Sequence, residues 1–135
     1  MQPVTVFDNE YIIVQYLPDK KCIYHEVRKP IPHLPLVDAL NAGSAAIQKY
    51  GVCKWLSDDR KNGPLAKETQ EFGFNDWGPR TIKAGWKYWA DVVPKELVAA
   101  GALAPVMEAY FGLGLRMQVF SSVEEAQEWL DSLKG

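Results

Sequence analysis

"CKWLSDDRKNGPL", residues 53–65, changes within a few positions from an apolar run to a charged turn. Its first four residues are typical of a buried β-strand, whereas the aspartates, the basic pair and the Asn-Gly-Pro sequence that follow are typical of a strand end. Helical periodicity resumes near Ala66. The stretch therefore predicts a strand–turn–helix unit, from which α/β folds are built.

The rest of the chain extends this pattern on both sides. Strands are predicted at 4–7, 11–17 and 22–27, separated by turn-forming residues, and again at 52–57, 86–93 and 115–120. Helices are predicted at 36–50, 66–77, 80–84 and 95–111, and after the Ser122–Glu125 capping box. Pro79 is expected to break or kink its helix, and Gly101 and Pro105 to distort theirs.

This order predicts a single α/β domain over residues 1–135. Its mixed sheet starts as an N-terminal antiparallel meander and continues as βαβαβα with right-handed crossovers. Ligands in such sheets bind beyond the carboxyl ends of the parallel strands. The loops expected to meet there are 57–65, 93–96 and 120–122.

Composition excludes several classes of protein. Of the 135 residues, 47% are hydrophobic and 24% are charged, and the net charge of -2 offers no basic surface for nucleic acid. No apolar run reaches the roughly 18 residues of a membrane span, and the N-terminus does not resemble an export signal. We expect a cytoplasmic protein with reduced, buried Cys22 and Cys53. We expect no metal and no cofactor.

The charged turn is the first candidate site. Ser57, Asp58, Asp59 and Arg60 are candidates for binding a partner or a ligand at the strand end. Adjacent aspartates in an extended chain point to opposite faces, so they do not form one metal pocket. Asp91 is predicted to lie mid-strand, too far from the strand tip to complete an acidic site. We therefore expect Asp58 and Arg60 to fix the turn and Asp59 to remain free for a partner.

Nucleophilic catalysis finds no support in the sequence. The two cysteines, His25 and His33 are expected to lie apart from one another, and no nucleophile elbow, Walker loop or dinucleotide fingerprint is present. The chain is predicted not to be an enzyme.

Aromatic and apolar residues supply the second candidate surface. The segment 95–113 has few polar positions for a surface helix, which leaves a buried helix, a dimer contact or a lid over an apolar pocket as alternatives. The candidates for an apolar ligand site or a dimer surface are Trp86, Tyr88, Trp89, Met107, Tyr110 and Phe111. Strand alternation predicts that Trp86 and Tyr88 share one face and Trp89 and Asp91 the other.

Three segments carry a resemblance to a known family: "KWLSDDRKNGPLAKETQEF", "WGPRTIKAGWKYWADVVPKEL" and "LRMQVFSSVEEAQEWLDSL". From about residue 10 onward the chain resembles small, mostly uncharacterised bacterial STAS-like proteins, related to anti-anti-sigma factors and to lipid-binding CRAL-TRIO domains. The resemblance implies four helices beside a mixed sheet, and a homodimer. The Asp-Ser-Ser-Gly phosphorylation sequence of anti-anti-sigma factors is absent here.

Two functions remain open on these grounds. The first is a non-enzymatic, STAS-like module that regulates or binds a protein partner. The second is a carrier or sensor for a small apolar, lipid-like ligand.

Overall fold

The computed structural model describes all 135 residues and contains six strands and six α-helices. The strands are β1 (Val4–Asp8), β2 (Ile12–Leu17), β3 (Cys22–Val27), β4 (Lys54–Asp58), β5 (Tyr88–Val92) and β6 (Arg116–Phe120). The helices are α1 (His33–Tyr50), α2 (Lys67–Phe72), α3 (Gly78–Lys83), α4 (Lys95–Ala99), α5 (Ala104–Gly112) and α6 (Val123–Asp131). A helix with the length and apolar character to cross a membrane does not occur.

The six strands form one sheet in which spatial order follows chain order. β1, β2 and β3 pair antiparallel, and β3, β4, β5 and β6 pair parallel. The predicted α/β fold with a mixed sheet is confirmed. Because each parallel strand lies beside the previous one, the carboxyl ends of β3, β4 and β5 lie next to one another at one edge of the sheet.

The two faces of the sheet pack against different helices. On one face, Ile23 and Trp55 pack with residues of α1 and α5 and with the segment 72–84 in the larger core. On the other face, a smaller core joins the sheet to α6 through Ala126 and Leu130. Strand residues therefore alternate between a face covered by α1–α5, here called the helical face, and the face covered by α6.

Two of the predicted helices are interrupted in the structure, as their proline and glycine residues predicted. A π-helical turn, Gly73–Trp77, separates α2 from α3, and Pro79 lies in the first turn of α3, where its missing N–H costs no hydrogen bond. The predicted helix 95–111 is divided into α4 and α5, which fits the expected distortion at Gly101, a residue with a φ of 65°.

Trp55 lies at the centre of the larger core, and its close contact with α1 gives a stability prediction. A Cβ atom added at Gly43 would overlap the Trp55 ring. Alanine is intrinsically better than glycine in a helix. We nevertheless expect Gly43→Ala to lower the free energy of unfolding by about 1–3 kcal/mol through overpacking.

The control is Gly112→Ala at the end of α5, where no atom lies within 4 Å of the added methyl group. It should leave stability unchanged or raise it by less than about 1 kcal/mol in urea unfolding. Equal effects of the two substitutions would contradict the assigned contact between α1 and Trp55.

Candidate functional site

A row of polar side chains crosses three parallel strands on the helical face. In the strand register His25 is opposite Ser57, and Ser57 is opposite Asp91. Asp59 follows two positions after Ser57, just beyond β4, and it returns to the same face. The fold thus places an imidazole, a hydroxyl and two carboxyl groups together near the carboxyl ends of the strands.

His25 is held by hydrogen bonds at both ring nitrogens. The Trp55 indole N–H lies 3.0 Å from His25 Nδ1, and Asp59 Oδ1 lies 2.7 Å from Nε2. An indole nitrogen can only donate, so Nδ1 accepts and the ring hydrogen belongs to Nε2, which donates to Asp59. His25 is therefore a neutral imidazole that orients the Asp59 carboxylate.

The carboxyl group of Asp59 also lies close enough to that of Asp91 for the two to share a hydrogen bond. Two ionised carboxylates in contact repel one another strongly, so a hydrogen bond between them requires that one retains a proton. Asp59 already accepts from His25, and the proton therefore belongs to Asp91. The pair carries one negative charge.

The surroundings of each carboxyl support this assignment. Burial, followed by the adjacent charge of Asp59, raises the pKa of Asp91 well above its ordinary value. Burial also acts to raise the pKa of Asp59, but the pKa of Asp59 is nevertheless lowered, and hydrogen bonds with His25 and Asp91 both act in this direction. The pKa values of these two neighbouring aspartates are therefore shifted in opposite directions. Perturbed pKa values of this kind are concentrated at functional sites.

Asp91 has unused hydrogen-bonding capacity. The residue is only 4% exposed, and its Oδ1 is buried without a donor from the rest of the chain. Buried carboxyl oxygens are normally satisfied by amides, hydroxyls or cations. A buried carboxyl oxygen without a donor is uncommon, and this one belongs to a residue that lines a cavity.

The cavity has a volume of about 670 Å³ and lies between the helical face and the surrounding helices and loops. The sheet contributes its polar residues His25, Ser57, Asp59 and Asp91, together with Trp89. Apolar residues supply most of the opposite wall: Leu36, Leu40, Trp77, Leu97, Leu103 and Tyr110. Both its size and its apolar walls with a few convergent polar groups are typical of small-molecule sites.

The four residues predicted at the strand end divide between the two faces of the sheet. Ser57 and Asp59 line the cavity, and Ser57 accepts a hydrogen bond from Trp89 Nε1. Asp58 points the other way and binds Arg60 through two hydrogen bonds of 2.9 and 2.8 Å. The predicted Asp58–Arg60 contact is confirmed, whereas Asp59 binds His25 and Asp91 rather than remaining free.

The six predicted aromatic and apolar residues do not form one surface. Trp89 and Tyr110 line the cavity. Trp86 is buried in the core beside Trp89, with ring centroids 5.4 Å apart, so its predicted place on the Tyr88 face is wrong. It precedes β5, where strand alternation does not apply. Tyr88 contacts Trp129 on the other face, and Met107 and Phe111 line a separate shallow groove.

Sequence reasoning missed the two residues that complete the site, His25 and Asp91. Asp91 is not isolated mid-strand; it precedes the last residue of the short β5 and meets Asp59 across the sheet. His25 lies beside an acid, since its Nε2 donates to Asp59. A partial signal was present, because alternation places Asp91 on the same face as Trp89 and His25 on the same face as the apolar Ile23 and Val27.

Metal binding and thiol chemistry find no suitable groups at this site. No cluster of three metal-ligating side chains with a suitable arrangement occurs in the chain, and both nitrogens of His25 are used in hydrogen bonds. Cys22 is buried on the α6 face, where burial raises the pKa of its thiol to about 12. The arrangement can accept hydrogen bonds, carry one negative charge and exclude water.

Comparisons with known proteins give no relative for this chain. No family model matches it, and neither curated proteins nor solved structures include a match. The resemblance to STAS-like proteins remains a prediction.

The proton on Asp91 predicts a dependence of stability on pH. Because its pKa is raised in the folded state, the stability it contributes is fully present below about pH 4 and declines as the pH rises through the folded-state pKa. The charged or titratable groups that line the same cavity are Asp59, His25, Glu96 and Tyr110, and the charge of Asp58 acts from the other face of the sheet. Asp91→Asn should abolish this decline, because an amide can still donate to Asp59.

When the pH is raised from 5 to 8, the free energy of unfolding of the variant should therefore increase relative to that of the wild type by at least about 1 kcal/mol. Urea unfolding at both pH values measures this difference. Asp76→Asn, which removes an exposed carboxylate paired with Arg80, is the control. Parallel pH profiles for Asp91→Asn and the wild type would contradict the protonated state of Asp91.

Proposed function

We propose that this chain is a carrier or sensor that binds one small, mostly apolar molecule in the cavity on the helical face. The observation that carries the proposal is a cavity of about 670 Å³ with largely apolar walls, lined by Asp91, whose buried Oδ1 receives no hydrogen bond from the chain. A protein without a ligand would be more stable if its side chains filled this space, because the residues that line a cavity lose packing contacts. A ligand that fills it restores those contacts and satisfies the carboxyl group.

The positions of the aromatic side chains support the same function. The Trp77 indole donates a hydrogen bond to the Leu40 carbonyl oxygen, and the Trp89 indole donates one to Ser57 Oγ, at 2.9 Å in each case. Their rings are therefore fixed and offer flat apolar surface to a ligand without unpaired donors. Such preorganised walls reduce the entropy lost on binding.

Binding to the cavity can be tested with the neutral apolar dye Nile red. Ala102 lines the cavity, so Ala102→Trp should occupy part of it and weaken dye binding about tenfold or more. Ala100→Trp adds the same side chain two positions away, at an exposed residue outside the cavity lining, and should bind the dye as the wild type does.

Fluorescence titration measures both affinities, and native mass spectrometry of protein purified from its own host should reveal a co-purifying small molecule. Failure of the wild type to bind the dye at a one-to-one ratio would overturn the proposal. Equal affinities of the two tryptophan variants would place the bound dye elsewhere on the molecule.

Exposed apolar residues on α5 support a second proposal, a symmetric homodimer. Phe111 is 72% exposed, and Val106 on the same helix is also exposed, which are unusual positions for such side chains. Pairing the end of α5 with its counterpart in a second copy would bury Phe111 together with Met107, which lies one turn before it in the same groove. The STAS-like regulatory module with a protein partner rests on the resemblance alone.

Sedimentation at concentrations on the order of tens of micromolar should give a dimer for the wild type, since weak homodimers populate this range. Phe111→Ser should shift the protein to a monomer without loss of Nile red binding, because Phe111 lies outside the cavity lining. A monomeric wild type would contradict the homodimer and leave the carrier proposal intact.

A further inference from the structure

The cavity is lined by acidic residues and carries a net negative charge. Its acidic lining residues are Asp59, Asp91 and Glu96, and no lysine or arginine lines it. His25 is neutral because Trp55 donates to one ring nitrogen while the other donates to Asp59. The carboxyl pair thus retains a negative charge without a cation among the residues of the cavity.

The other acidic group of the turn, Asp58, is neutralised within the protein by the Arg60 guanidinium at 2.8 Å, on the face covered by α6. By contrast, the Asp59 side chain, which is 23% exposed, has the neutral His25 as its partner in place of a cation. A carboxylate that is partly withdrawn from water is normally paired. The missing partner of the pair is a cation.

We propose that the ligand of this cavity is an apolar amine, whose ammonium group donates hydrogen bonds to the Asp91–Asp59 pair while its hydrocarbon part packs against the apolar wall. The inference rests on the proposed ligand-binding function. One ammonium neutralises the single charge of the pair, so binding requires no proton to enter or leave. Asp91 then acquires the donor that the chain does not give it.

Aromatic rings around the cavity fit the same ligand. Trp89 and Tyr110 both line it, with their ring centroids 5.2 Å apart and their planes nearly perpendicular. Ring faces attract a cation, and this attraction strengthens where water is excluded. A fatty acid would instead place its carboxylate against a negative pair, and an alcohol would gain the hydrogen bond without the charge.

The test compares three ligands of equal chain length, decylamine, decanol and decanoate, as competitors of Nile red at pH 7. For the wild type we expect decylamine to bind about tenfold more tightly than decanol, and decanoate to bind more weakly than both. In the double variant Asp59→Asn and Asp91→Asn, which removes the charge with little change of shape, the ratio of amine to alcohol affinity should fall to about one. Asp76→Asn should retain the wild-type ratio, because Asp76 lies outside the cavity lining.

The outcomes separate this inference from the proposed function. If Nile red binds but decylamine competes no better than decanol, the amine is overturned and the binding cavity stands. If Nile red does not bind, the cavity proposal itself fails. Persistence of the amine preference in the double variant would also overturn the role of the carboxyl pair. If that variant does not fold, the relative affinities of the wild type are the test: any order other than decylamine, decanol and decanoate overturns the amine.

Discussion

The hydrogen bond from the Trp55 indole to His25 determines the states of His25, Asp59 and Asp91 in the cavity. Because the indole can only donate, it fixes the tautomer of His25, which in turn donates to Asp59. Asp59 is thereby the ionised member of the carboxyl pair, and Asp91 keeps the proton. Trp55 itself is fixed by the core, since it is 1% exposed and contacts α1 closely at Gly43. Core packing and site chemistry therefore depend on the same side chain.

The sheet topology explains why this chain can place such a site with so few residues. Strands β3, β4 and β5 are neighbours in space and in sequence order, so one residue from each forms a row without long loops. The helices α1 to α5 cover the same face and leave the cavity above that row. The other face, covered by α6, holds the Asp58–Arg60 pair, which fixes the turn after β4. Alternation along one strand thus separates a structural aspartate from one that lines the cavity.

Sequence patterns were sufficient for the fold because each element is locally specified. The Ser122 side chain accepts the Glu125 amide, and Gly51 adopts the left-handed conformation that ends α1, as predicted. The site was only half predictable. Ser57 and Asp59 follow a recognisable strand end, whereas the meeting of Asp59 with Asp91 depends on strand register, which a single sequence does not specify. Trp86 was misplaced because β5 begins two residues after it and alternation was extended too far.

One proton is held between the buried carboxyl group of Asp91 and the partly exposed carboxyl group of Asp59, beside a neutral histidine. Carboxyl ¹³C NMR of aspartate-labelled protein, followed from pH 3 to pH 9, tests it most directly. One aspartate carboxyl, absent from the spectrum of Asp91→Asn, should remain protonated far above the ordinary value of about 4 while its neighbour is ionised throughout neutral pH. Titration of all aspartates near that ordinary value would contradict the account.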